Sequence, residues 1–228
     1  MNQDEQLDSI VNRVSQTEPL KALDIPKELA EPSSFLKVLK ARHFNWESEH
    51  FRKFFAMRFD VKIPPIQQFN TIIYPRVDYD VPVFIFFILL TKRKVIAHLN
   101  INCPFDGPEY QQNWQQPFAS ILSDYVSFES KDRYPEWMQK YRNDSTIYGL
   151  FKRDRENDVD ECCSRYLDLY MKKVAEAQPE TNPDRLRKIH AFHEQWIDDI
   201  RTQDKAQSMM AKMIGKKTAR RIFYEVTT

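Results

Sequence analysis

The chain has 228 residues, 42% of them hydrophobic and 13% aromatic, enough to build a sizeable core. Lysine and arginine total 34 against 33 aspartate and glutamate, a formal net charge of +1, which excludes the global basic field that drives nucleic-acid binding. Only 3 glycines are present and no GxGxxG or Walker motif exists, which argues against a phosphate cradle, and no apolar run approaches the about 20 residues of a membrane helix.

Taken in order, Leu7, Ile10, Val11 and Val14 share one helical face. Pro19, Pro26 and Pro32 punctuate a loop-rich entry over residues 1–34 of what reads as one domain, 1–228. Its acidic first residues carry no apolar signal core, so a cytoplasmic location is expected, or a plastid stroma had a transit peptide been removed. Phe35 to Phe44 has the character of a first strand. Glu49 to Phe59 fits strand or helix, and Pro64-Pro65 would end it.

The organising stretch is Phe69 to Pro104. It holds three apolar runs, Asn70–Tyr74, Val83–Leu90 and Val95–Ile101, parted by Pro75, Asp78, Asp80 and Pro82 and by the turn Thr91–Lys94. Strands joined by short polar connections favour an antiparallel meander. A strand apolar at every position, such as Val83–Leu90, predicts cover on both faces, hence helices on each side of the sheet.

Beyond Pro104, Tyr110–Trp114 and Phe118–Phe128 read as helical, Tyr134–Trp137 as a break and Ser145–Phe151 as a strand. Lys152 to Asp160 is a charge run, expected to be a solvated loop. Val159 to Ala177 is an amphipathic helix. Thr181-Asn182-Pro183-Asp184 supplies a cap for a helix running to about Arg201. A last helix carries Met209, Met210 and Met213 before Gly215, a C-cap or break. The 3 cysteines, Cys103 and the adjacent Cys162-Cys163, form no framework and suit a reducing compartment. His190, His193 and Glu194 share part of a helix face without a complete metal-ligand pattern, so no metal is expected.

The order Asn70, Tyr74-Pro75, Tyr79-Asp80, Pro82, Phe84, then two apolar strands ending in a proline, resembles the ferredoxin-dependent bilin reductases. Phe51-Arg52-Lys53, Tyr166-Leu167-Asp168-Leu169-Tyr170, Asp204-Lys205, the segment from Gly215 to Ala219 and Phe223-Tyr224 extend the resemblance over roughly residues 45 to 225. It favours a strand for Glu49–Phe59 and implies a three-layer α/β/α sandwich with a central antiparallel sheet. A linear tetrapyrrole, biliverdin or 15,16-dihydrobiliverdin, would sit between the sheet and the C-terminal helices. The family holds no permanent cofactor. Reduced ferredoxin delivers electrons singly and the protein supplies protons, so the expected partners are ferredoxin and the bilin, acting on a monomer, without nucleic acid or membrane.

The resemblance also nominates residues. Asp204 matches the family's C-terminal-half aspartate, a proton donor for A-ring reduction whose pKa a dry pocket would raise; the plain alternative is a helix N-cap. Asn70 matches a position that is His or Asn, able to hydrogen-bond a lactam but not to titrate. Phe87 falls where most members carry a central Asp and can only stack or fill space. The acid of the preceding strand is missing as well: counting from Phe51-Arg52-Lys53 gives Ala56, and counting from Asn70 gives Arg58. Asp60 is the nearby substitute. Lys205 and Lys152 are cations suited to the propionates. Lys216, Lys217, Arg220 and Arg221 form a basic cluster that suits an acidic ferredoxin or is a plain charged face. The absence of the central Asp favours reduction at the A-ring, as in the branches that make phycoerythrobilin or phytochromobilin. Two other readings stay open: a bilin carrier of the same fold that has lost catalysis, and an α/β interaction module.

Overall fold

The structure, a computed structural model, describes residues 3–32, 34, 39–125 and 134–228. Helix α1 (Gln3–Ser15) leads to the two-residue strand β1 (Lys21–Ala22), a single turn α2 (Lys27–Ala30), and then four long strands: β2 (Leu39–Glu47), β3 (Phe51–Val61), β4 (Ile66–Pro75) and β5 (Val83–Leu90). Strand β6 (Lys94–Asn102) follows. Then come the short α3 (Pro108–Tyr110), a π-helical turn Gln111–Gln115, α4 (Gln116–Ser123) and a 3-10 turn Glu136–Tyr141, before β7 (Ile147–Lys152). The chain closes with α5 (Glu156–Glu176), α6 (Pro183–Gln203), α7 (Lys205–Ile214), α8 (Lys216–Arg221) and a π-helical turn Ile222–Thr227.

All 7 strands form one sheet in sequence order, each antiparallel to the next. This is the meander expected from the short polar connections. Glu49–Phe59 resolves as strand β3. The first strand starts at Leu39 among the described residues, with 35–38 outside them, and 126–128 of the expected helix also lie outside.

Because side chains alternate across a strand, each strand feeds two cores. On the first face Phe54, Ala56, Phe69, Phe84, Phe86, Ile88, Leu99 and Ile101 meet α1, α4 and α5 through Leu7, Ile10, Val14, Phe118 and Val159. Tyr166 and Tyr170 of α5 reach through this layer; their hydroxyls donate to the carbonyls of Ser145 (2.8 Å) and Pro82 (2.9 Å), which fixes helix against sheet. On the second face Phe55, Met57, Ile72, Tyr74, Val83 and Ile85 meet Met138, Tyr141, Trp196, Ile200, Met210, Ile222 and Phe223. The result is an α/β/α sandwich, as the unbroken apolar character of β5 requires.

Two local expectations change. The charge run Lys152–Asp160 is not a solvated loop: it forms a 3-10 turn and the first turn of α5. Its acids sit at the helix start, where the dipole favours them, and Asp160 is buried against Gln6 of α1. Among the described residues the cover over β5 is also incomplete. Phe87 and Leu89 are half-exposed, because the second-layer helices close only over the Val83–Ile85 end.

Asn182 caps α6 through its side chain, accepting from the amides of Asp184 (2.9 Å) and Arg185 (3.4 Å), with Pro183 at the first helical position. Arg185 then ties this end of the helix to the β4–β5 connection, bonding Asp80, and to Glu180 (2.7 Å). Gly215 ends α7 with φ of 90°, a conformation that suits glycine. No helix among the described residues is long and apolar enough to cross a membrane.

Candidate active site

The strand register aligns two rows of side chains across the second face. One runs His43, Met57, Asn70, Phe87, His98, Tyr148. The next runs Phe59, Gln68, Leu89, Ile96, Leu150. Phe59, Phe87, Leu89, Ile96, Tyr148 and Leu150 are all half-exposed, whereas Phe69, Ile88 and Ala97, their neighbours on the opposite face, are buried. Among the described residues this end of the second face is therefore an apolar floor without a full cover. Four strand spacings make it about 19 Å wide. It suits a flat, extended, largely apolar ligand.

The floor carries few polar groups. Asn70 is half-buried, and its Oδ1 is buried without a hydrogen-bond partner. His98 is 3% exposed, packed edge-on against Tyr134 and Tyr148, and its Nε2 is likewise unpartnered. An orphaned buried polar atom costs about 1–3 kcal/mol, so these atoms mark places where a ligand group would be welcome. Burial pushes the His98 pKa down to about 3, so its ring is neutral at physiological pH.

The nominated residues separate. Asn70 and Phe87 are direct cross-strand partners on the floor. Lys152 stands opposite Lys94 in the register, one row beyond Ile96 and Leu150, and both are exposed at the floor's open end. Asp60 does not join them. It alternates with Arg58, Ala56 and Phe54 on the first face, where it accepts hydrogen bonds from Arg58 (3.1 Å) and Gln67 (3.3 Å). A register irregularity between Phe51 and Lys53 adds a residue to β3, and Met57 is the β3 residue paired with Asn70, with Ala56 and Arg58 on either side of it.

Asp204 lies at the α6–α7 junction, half-buried. Its Oδ1 accepts from the Ala206 amide at 2.8 Å, so the helix-cap role is real. Burial raises its pKa above the ordinary aspartate value, and the Ala206 hydrogen bond offsets only part of that. Lys205 is exposed at the first position of α7. Asp199, near the end of α6 and buried, differs in kind: Lys140, Tyr141, Gln195 and Gln203 all bond its oxygens. Burial would raise its pKa, yet those partners hold it below the ordinary value, so it is a fixed anion rather than a proton donor.

Beyond the floor, at the α6-covered end, the Arg52 guanidinium stacks 4.6 Å over the Tyr74 ring. His193 is buried there, whereas His190 and Glu194 point outward, so the helix-face trio converges on nothing. No metal-binding cluster occurs among the described residues. The sequence reasoning passed over His98, although its alternation with Ile96 and Asn100 in an apolar strand was the signal that it points inward.

The chain is similar to known proteins in sequence and in fold. A 15,16-dihydrobiliverdin:ferredoxin oxidoreductase from Nostoc punctiforme (strain ATCC 29133 / PCC 73102) is 22% identical over 196 residues, covering 81% of this chain and 76% of its own length. Tomato phytochromobilin synthase, solved in complex with biliverdin, superposes with a TM-score of 0.90 at 11% identity, over 98% of this chain and 82% of that one. A structure of PcyX superposes with a TM-score of 0.60 at 13% identity, over 98% and 96% of the two chains. At such identities the structural likenesses show the fold. The family model for ferredoxin-dependent bilin reductase matches residues 7–227, and the chain therefore belongs to that family of oxidoreductases.

Proposed function

We propose that the chain reduces a linear tetrapyrrole, biliverdin or 15,16-dihydrobiliverdin, at the A-ring, with electrons delivered singly by reduced ferredoxin. The observation that carries this reading is the half-open apolar floor of β3–β7, which bears no carboxylate among the described residues, together with a desolvated carboxyl, Asp204, at the head of α7. The pigment's rings would lie on Phe87, Leu89 and Ile96, its propionates toward Lys94, Lys152 and Lys205. Each electron taken up makes the pigment more basic. Asp204, its pKa raised by burial, holds a proton that it can give up at that moment. Two electrons and two protons complete one double-bond reduction: Asp204 gives one proton, the second comes from water, and solvent re-protonates Asp204 between turnovers.

Ferredoxin would dock on α7–α8, where Lys212, Lys216, Lys217 and Arg220 are exposed and a shallow depression is lined by Lys216, Lys217, Arg220, Arg221, Tyr224 and Glu225. Arg221 is not part of that free charge, since it pairs with Glu225 and Glu28. A local basic face steers an acidic partner without a high net charge.

One observation favours a second reading, a bilin carrier without turnover: Phe87 removes the acid that most of the family places at the centre of the floor. An anaerobic assay with both bilins and reduced ferredoxin, products resolved by chromatography, separates the two. A new pigment absorbance that grows with ferredoxin supports the reductase. Tight binding with no product supports the carrier, and no binding of either bilin eliminates both.

A further inference from the structure

We propose that His98 is a substrate-contacting residue: from one strand over, its Nε2 hydrogen-bonds the edge of the pigment that Phe87 cannot reach. The inference rests on the bilin-reductase reading and adds a residue to it. His98 and Phe87 are Cα partners in the β5–β6 register, and cross-strand partners project to the same face. On the other side of Phe87 stands Asn70, its partner in β4. The half-exposed phenyl ring is thus flanked by two polar side chains, and each has a buried atom without a partner, Asn70 Oδ1 and His98 Nε2.

Packing alone does not explain this pair. A floor that needed only to be filled would be better served by leucine or phenylalanine at both places, since an unpaired polar atom in an apolar layer is a net cost. Two strand spacings set the backbones of Asn70 and His98 about 10 Å apart, with a flat aromatic surface between them. That pattern complements a planar conjugated ligand that bears donors and acceptors along its edge. A linear tetrapyrrole has both: pyrrole N–H groups suit Asn70 Oδ1, and a lactam oxygen or unprotonated ring nitrogen suits an N–H at His98 Nε2.

The chemistry of His98 differs from that of the carboxylate usual at the centre of the floor. Held neutral by burial, the imidazole is a donor and not a proton store. Its hydrogen bond strengthens as the pigment takes up an electron, because the acceptor gains negative charge. His98 would thereby stabilise the one-electron-reduced pigment, while Asp204 supplies the proton. The ring lies under the edges of Tyr134 (centroids 5.6 Å) and Tyr148 (5.4 Å), so the pigment reaches it by displacing the half-buried Tyr148.

The test uses the full chain, labelled with 15N-histidine, with biliverdin and then 15,16-dihydrobiliverdin added. The His98 Nε2 resonance, assigned by its loss in His98→Gln, is expected to shift on binding. Turnover with reduced ferredoxin should fall about 10- to 100-fold in kcat in His98→Leu, with the ferredoxin KM unchanged. The absorbance maximum of the bound pigment should also move. His98→Gln, which keeps an N–H donor, should recover most of the rate. An unshifted His98 resonance in a complex that turns over would overturn the inference alone, and so would wild-type kcat and pigment spectrum in His98→Leu. Failure of the wild-type chain to bind either bilin would overturn the reductase reading and this inference together.

Discussion

Phe87 stands directly across from Asn70 in the β4–β5 register, so a phenyl ring and an amide share the centre of the open floor. The position is half-exposed. A carboxylate placed there would project over the apolar floor, flanked by the neutral side chains of His98 and Asn70. Phe87→Asp is therefore expected to titrate above the ordinary aspartate range and to cost about 1–3 kcal/mol of stability. It should also add a proton donor at mid-pigment, changing the product distribution rather than only the rate. Chromatography of the products beside a urea melt checks both parts. An unchanged product with unchanged rate would place Phe87 away from the pigment.

Asp204 caps α7 and is proposed as the proton donor, two roles that substitution can part. Asparagine caps a helix about as well as aspartate, so Asp204→Asn should stay within about 0.5 kcal/mol of wild type, whereas Asp204→Ala should lose about 1 kcal/mol. Both remove the proton. Turnover should drop in each by at least about 100-fold, the range of a lost general acid. If Asp204→Asn keeps full activity, the carboxyl serves the helix and nothing more.

Acid should destabilise the fold earlier than is usual. Burial, partly offset by a hydrogen bond to the Leu29 carbonyl, lowers the His43 pKa to about 4. Burial takes His98 to about 3, and burial with the nearby Arg52 takes His193 to about 3. Each lies below the unfolded value of about 6.5, so as pH falls past that value the unfolded chain binds protons the native state refuses. Stability is then lost with falling pH. Asp160 works the other way: burial, with Glu156 nearby, raises its pKa to about 7, so its protonated form favours the native state as pH falls. Asp204, also raised, acts in the same direction. The balance is one to two protons, or roughly 1–3 kcal/mol per pH unit in the histidine range. Urea midpoints between about pH 6 and pH 5 report it, and a flat profile would show that the imidazoles are hydrated.

The Asp199 network is structural. Lys140 Nζ lies 2.6 Å from Oδ2, the Tyr141 hydroxyl donates to the same oxygen, and Gln195 (3.1 Å) and Gln203 (2.7 Å) hold Oδ1. Tyr141→Phe is expected to cost about 1–3 kcal/mol by leaving that buried carboxylate short of a donor. Pigment binding should not change. A shift in the bound bilin spectrum would instead put Asp199 in the site.

Charge reversal of the α7–α8 face, Lys216→Glu with Lys217→Glu, should raise the ferredoxin KM several-fold at low salt and leave bilin affinity alone. The gap should close as ionic strength rises and screening shortens the range of the field. Equal KM at every salt concentration would send the docking site elsewhere.

Much of the architecture was legible without coordinates. Apolar runs broken by Pro75, Asp78, Asp80, Pro82 and Thr91–Lys94 favour a meander, and the periodic segments after Asp154 read as helices laid against it. The motif order also pointed to the family that the comparisons show. The facing of individual side chains was not legible. A strand's period is two, so Asp60, three residues beyond Met57, falls on the opposite face from the Met57–Asn70 pair. The placement of His98 beside Phe87 likewise depends on the pairing of β5 with β6. Local composition determines that strands and helices form; register, which depends on partners distant in the chain, decides which atoms meet.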